Sequence, residues 1–190
     1  GRIERKSGDV ERALEGAARV VSAEYTVPHL AQAPMEPPAA LASFADGKCE
    51  IWACTQNPQG ARTDVASTLS IAPRDVTVHV TFLGGGFGRK SKPDFIVEAA
   101  LLSRAAGAPV RVQWTRSDDL QHGYYHTVSA QRLDAGLTAD GRVVAWRHRT
   151  AFPSIFSTFA SKRRSPTAGE LAQGAVDLPF AVPNFAVESG

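Results

Sequence analysis

Apolar and polar residues follow two different periods along this chain, and the switches between them divide it into strands and helices. The run Val76-Thr77-Val78-His79-Val80-Thr81-Phe82 alternates as a half-buried strand does. Strands are also expected over 20–27, 41–44, 50–55 and 110–114, where β-branched and aromatic residues gather. Helical spacing takes over at Val10, Ala13, Leu14 and Ala17, and again at Ala61, Val65 and Leu69, predicting helices over 8–18 and 59–70. The densest apolar face, Phe95 to Leu102, has Pro93 near its first turn and Gly107 behind it, so a helix is expected over 93–106.

Turn chemistry joins these pieces. Asp46-Gly47 and Asp140-Gly141 each separate two strand-like runs and predict hairpins, the second between 127–137 and 142–150. Residues 185–189 read as one more strand. Between them, 151–174 has no periodicity and is expected to be a flexible loop. The pattern predicts an α+β fold: a mixed, largely antiparallel sheet with helices packed on one side.

Composition narrows the class. With 190 residues, 43% of them hydrophobic, the chain can bury a substantial core as one domain or two lobes. A net charge of +2 gives no reason to expect nucleic acid. The cations are unevenly spread: Arg142, Arg147, Arg149, Lys162, Arg163 and Arg164 occur in a stretch without acids. Such a run is either a solvated face or a surface for phosphate or a partner. No apolar run nears the ~20 residues that span a bilayer.

The densest chemistry lies in Gly84-Gly85-Gly86-Phe87-Gly88-Arg89-Lys90, directly after the alternating strand. Four glycines in five residues offer unhindered backbone amides, and two cations follow. This can be a cradle for oxyanions or simply a tight turn. It is not a nucleotide-triphosphatase phosphate loop, which needs glycine where Arg89 stands. Nor is it a dinucleotide fingerprint, whose third glycine would fall on Arg89 or Ser91. Gln56 follows the 50–55 strand and precedes a helix, a position that suits either a ligand-facing side chain or a turn and capping residue.

Other candidates are weaker. Cys49 and Cys54 are five apart and fit buried thiols better than a bridge. Iron–sulfur clusters need cysteine sets that are not present in this chain. His122 and His126 have the i, i+4 spacing of zinc ligands, but no metalloprotease glutamate follows the first.

Several motifs occur in an order that resembles the molybdenum hydroxylases, the family of xanthine dehydrogenase, aldehyde oxidoreductase and carbon monoxide dehydrogenase. They are Gly8-Asp9-Val10 with Ala18-Arg19-Val20-Val21 and Glu24-Tyr25, then Ala33-Pro34-Met35-Glu36-Pro37, Thr55-Gln56-Asn57, and Gly84 to Lys90. Trp114-Thr115-Arg116 with Asp118-Asp119, His122 and Tyr125 completes the set. The resemblance is nearest to the branch that holds the large, molybdopterin-binding subunit of isoquinoline 1-oxidoreductase and related aldehyde dehydrogenases.

The resemblance implies that residues 1–190 are an internal piece of the molybdopterin-binding domain of a longer subunit. It implies a molybdenum–molybdopterin cofactor, the pterin carrying a nucleotide, and iron–sulfur clusters in a small partner subunit. The implied reaction is hydroxylation of N-heterocycles, or oxidation of aldehydes, with oxygen from water. Gln56 then matches the glutamine beside an oxygen ligand of the metal. Gly84, Gly85, Gly86, Phe87 and Gly88 match the loop around cofactor and substrate, and Arg89 is carried over with them although the family varies there. The glutamate base falls outside this chain, which alone is expected to be inactive, and no direct metal ligand is expected in it. Xanthine-oxidising members have glutamate just after the loop lysine; here Ser91 stands there, a second substrate-pocket candidate beside Phe87. The alternative is an isolated structural or interaction domain that binds no cofactor.

Overall fold

The computed structural model describes residues 1–159 and 165–190. Along the chain run β1 (Arg2–Ser7), α1 (Val10–Glu15), β2 (Arg19–Val27), β3 (Ala39–Ala45), β4 (Lys48–Ala53), α2 (Pro58–Leu69) and β5 (Val76–Val80). Then follow α3 (Asp94–Ala106), β6 (Val110–Gln113), α4 (Arg116–His122), β7 (Ser129–Leu137), β8 (Val143–Ala151), α5 (Ala168–Leu171) and β9 (Asn184–Ser189). The chain divides into two compact units, one of residues 1–30 with 126–190, the other of residues 31–125. The expected α+β class holds, with two mixed sheets where periodicity suggested one.

The unit of residues 31–125 holds a four-stranded sheet in the order β5-β4-β3-β6. Its β3–β4 hairpin turns on Asp46 and Gly47, at φ 50° and 73°, and closes with Ala45 opposite Lys48. Positive φ at both central residues is what the twist of paired strands favours, and an Asp-Gly pair tolerates it. Strands β4 and β5 are parallel, with Ala53 opposite Val80, so α2 must cross between them. Helix α2 starts at Asn57, whose Oδ1 accepts the Gly60 amide at 3.0 Å, and stops at Ser70 in the left-handed region.

Helices α2 and α3 bury Ala61, Val65, Ala66 and Leu69, and Phe95, Ile96, Ala99 and Ala100, against Ala40, Ala42, Ile51, Ala53 and Val76 of the sheet. Alanine at so many contact positions lets helix and sheet backbones approach closely. Removing a large side chain here, Phe95 or Ile51, would cost on the order of 3–5 kcal/mol.

The split unit holds a five-stranded sheet in the order β1-β9-β8-β7-β2, of which only β8 and β9 are parallel. Helix α1, capped by the Asp9 carboxylate on the Arg12 amide, places Val10 and Leu14 against Ala145 and Ala186. The cation-rich stretch is paired where it is described. Arg147 reaches Asp134 at 2.9 Å and Glu11 at 2.7 Å, Arg149 reaches Glu188 at 3.2 Å, and Arg142 reaches Asp140 at 2.9 Å. Lys162, Arg163 and Arg164 lie outside the described residues. The segment 151–174 contains a short 3-10 turn, Ile155–Thr158, and α5, tied together by the Glu170 carboxylate on Ser154 and the Ile155 amide.

Candidate functional site

Strand directions bring four of the sequence motifs to one end of the four-stranded sheet. Gln56 follows the carboxyl end of β4, and the glycine loop follows that of β5, its parallel neighbour. Because β3 is antiparallel to both β4 and β6, its start lies at this same end, with Ala39 opposite Gln113 and Ala40 opposite Ala53. The Ala33–Pro37 motif and the Trp114–Arg116 motif therefore meet there too. The carboxyl ends of parallel strands are where α/β sheets commonly hold ligands, since loops rather than sheet edges can shape a site.

Gln56 points at the glycine loop. Its Oε1 accepts the Gly88 amide at 3.0 Å, and its own amide donates to the Lys90 carbonyl at 3.0 Å. The Thr55 hydroxyl donates to the same carbonyl at 3.1 Å. A Cβ on Gly86 would stand 2.4 Å from Gln56 Oε1, so glycine here lets the Gln56 carboxamide approach the loop closely. Asn57, next in the motif, caps α2 and is occupied by that task.

A second set of contacts holds the loop from below. Glu36 Oε2 accepts both the Gly84 amide at 3.0 Å and the Lys90 ammonium at 2.7 Å, while the Glu36 amide donates to the Gly84 carbonyl. Lys90 is wholly buried. Burial raises the Glu36 pKa, but the Lys90 ammonium and the Gly84 amide more than offset it, so the carboxyl titrates below the usual glutamate range. The Met35–Glu36 turn is pinned in turn by Arg116, whose guanidinium donates to the Pro34 and Met35 carbonyls and to Asp119 at 2.6 Å.

Arg89 has a different role from its neighbours. Its guanidinium makes two hydrogen bonds to Asp94, at 2.9 and 2.8 Å, and lies over the rings of Trp114 and Tyr124. It is 1% exposed, so the side chain is committed to anchoring the loop onto α3. Phe87 is the reverse: it sits at φ 50°, a rare region for an aromatic residue, and is 68% exposed. Ser91 lies in the 3-10 turn Arg89–Ser91 and is half-buried.

The loop can be tested for its fit to a group rich in oxygen atoms. Among the described residues, the amides of Gly85, Gly86 and Phe87 have no acceptor, and neither does the Gln56 Nε2 group. Three successive free amides on a loop bonded to one carboxamide supply donors suited to anionic or polar oxygens. Among the described residues no cluster of three or more His, Cys, Asp or Glu could hold a metal ion directly. The unpaired donors fit the oxygen atoms of an organic cofactor.

Sequence reading finds Gln56 and the glycine loop through their motifs, but it does not find the Glu36–Lys90 pair. A buried lysine needs an acid, yet linear spacing does not say which of the chain's 19 acids supplies it. The thiols of Cys49 and Cys54 are free and buried, and burial pushes Cys49 up to about 11.

Comparison with known proteins finds relatives along most of the chain. The beta chain of isoquinoline 1-oxidoreductase from Brevundimonas diminuta is 38% identical over 151 residues, covering 74% of this chain and 19% of that protein. One of the subunits of nicotinate dehydrogenase from Pseudomonas putida is 34% identical over 170 residues, covering 90% of this chain and 14% of its own length. The chain thus spans a fifth or less of these two relatives. Quinoline 2-oxidoreductase from Pseudomonas putida shares the fold over 100% of this chain and 25% of its own, with a TM-score of 0.73 at 24% identity. Residues 2–189 match the family described as the molybdopterin cofactor-binding domain. Fold, ordered motifs and the family match agree, and the chain belongs to the molybdopterin cofactor-binding domain family of the molybdenum hydroxylases.

Proposed function

We propose that the chain forms one wall of the cofactor site in a hydroxylase that oxidises N-heterocycles of the isoquinoline type, or aldehydes, with oxygen from water. The observation that carries this reading is the contact of the Gln56 carboxamide with the glycine loop at Gly88, beside the free amides of Gly85, Gly86 and Phe87. When bound, the molybdenum–pterin group supplies the oxygen-transfer and two-electron chemistry. Gln56, held at Oε1 by Gly88, would offer its Nε2 donor to an oxygen of this group. The loop amides would bind the cofactor's oxygens, with Gly84 and Gly88 setting the ends of the loop and Arg89 fastening it to α3 through Asp94.

Phe87 and Ser91 are the substrate-pocket residues of this reading. An exposed aromatic ring suits a planar substrate, and a short hydroxyl leaves room for rings bulkier than a purine. The pterin would carry a nucleotide, and iron–sulfur clusters in a smaller partner subunit would accept the electrons. The two relatives described above are each named as one subunit of an enzyme, which supports a parent of more than one chain. The general base and the electron exit lie elsewhere in the parent, so these 190 residues alone would not turn over substrate.

Gln56→Ala in the full-length parent tests the reading. Removal of one donor aimed at developing charge typically lowers kcat by about 10²–10³-fold. That loss is expected with molybdenum and pterin content retained. Turnover equal to wild type would refute the placement of Gln56.

A further inference from the structure

The glycine loop is closed at both ends by a single atom. Glu36 Oε2 holds the Gly84 amide, where the loop begins, and the Lys90 ammonium, where it ends. Between these two contacts lie the three free amides. The backbone of Lys90 makes a second connection, since its carbonyl accepts from the Gln56 amide and the Thr55 hydroxyl. Lys90 therefore ties the loop to Glu36 through its side chain and to Gln56 through its main chain.

The loop packs closely against Glu36 and Gln56. Added Cβ atoms would fall 2.5 Å from Glu36 Cβ at Gly84 and 2.4 Å from Gln56 Oε1 at Gly86. The loop is thus wedged between the Glu36 turn and Gln56, and the distance between them sets where its amides lie. Without the Glu36 carboxylate, the Lys90 ammonium would be buried without its counter-ion and the Gly84 amide would lose its acceptor.

We propose that Glu36 and Lys90 are positioning residues, whose ion pair sets the separation between the Gln56 carboxamide and the amides of Gly85, Gly86 and Phe87. This rests on the functional reading above. Neither residue touches substrate in this assignment; both act through the loop. Disturbing the pair shifts the donors relative to the cofactor, and a displacement of about 1 Å can cost about 10²-fold in rate.

The test uses the full-length parent with Glu36→Gln, Lys90→Met and the double variant. It measures the unfolding temperature, molybdenum and pterin per chain, kcat, KM and hydrogen exchange of peptides covering 82–91. The neutral double variant has no buried unpaired ammonium, so its unfolding temperature should recover relative to Glu36→Gln. Its kcat should stay at least about tenfold low with KM little changed. Exchange at the Gly88 amide, which neither substituted side chain touches, should be faster than in wild type. If kcat recovers together with stability, or if Gly88 exchange is unchanged, the pair is structural only and the inference fails. Glu36→Asp, which keeps the charge but shortens the reach, provides the same decision if the double variant does not fold: kcat should fall, and wild-type kcat overturns the proposal. Gln56→Ala in parallel separates the two failures, since wild-type turnover in that variant refutes the functional reading whatever the pair does.

Discussion

Gly86→Ala should separate stability from activity. The new methyl would lie 2.4 Å from Gln56 Oε1, 2.6 Å from its Cδ and 3.1 Å from its Cγ. All three are outer atoms of an exposed, flexible side chain, and Gly86 is not among the residues with positive φ, so alanine can be accommodated by moving Gln56. The folding cost is then the lost hydrogen bond to the Gly88 amide, about 0.5–1.5 kcal/mol. One kcal/mol moves the unfolding temperature by about 2–4 °C in 150–250 residues and by less in a protein as large as the relatives, so the shift should be no more than about 3 °C. The effect on turnover is larger, because a carboxamide displaced by about 1 Å can lose about 10²-fold in rate, equivalent to about 2.7 kcal/mol of barrier. The assay is kcat and KM on an aldehyde and on an isoquinoline-like ring, with thermal unfolding and molybdenum content on the same preparations. Wild-type kcat in a variant that keeps its cofactor would refute the view that Gln56 orientation matters. A fall in unfolding temperature beyond about 10 °C, roughly three times that expected shift, would show that Gly86 is needed for folding instead.

Three further outcomes are expected. Ser91→Glu should raise the ratio of kcat/KM for purines over isoquinoline-like rings, because a charged acceptor then becomes available to a buried polar substrate; an unchanged ratio with cofactor bound would show that Ser91 does not select. Asp94→Ala strands the buried Arg89 guanidinium and should cost about 2–3 kcal/mol in urea unfolding, below the value for a fully buried pair because Asp94 is partly exposed. Asp134 titrates low because hydrogen bonds from Ser22 and Arg147 outweigh the opposing effect of burial, so its contribution is present above about pH 4 and lost as pH falls toward the lower folded value. Asp134→Asn should therefore flatten the acid limb of unfolding free energy against pH, and an unaltered limb would contradict the assignment.

Elements with a local cause were legible in the sequence. The Asp46-Gly47 turn, α3 between Pro93 and Gly107, and Asn57 before α2 each carry their own signal within a few residues. Strand β1 shows none: Arg2–Ser7 is mostly charged, and it becomes a strand because β9 supplies a partner far along the chain. Helix α4 has a local signal, the capping box of Thr115 and Asp118, which hydrophobic periodicity does not register. The same division holds at the site. Gln56 and the glycine loop follow strand ends and can be placed by motif. The Glu36 carboxylate reaches Lys90 only because β3 and β5 start and stop at one end of a sheet whose order is not written in linear spacing.

The division of the chain also sets an order of folding. Residues 31–125, which carry the whole candidate site, are one uninterrupted stretch with their own core. The other unit cannot finish early, because β1 pairs with β9, Arg2 opposite Ser189, and that closure waits for nearly the entire chain. During synthesis the glycine loop, Gln56 and Glu36 can assemble while the five-stranded sheet is still missing three of its members. A lesion in β9 should then leave a trapped intermediate with an ordered site and an open sheet, whereas a lesion in β4 should remove the site before the second sheet has begun to close.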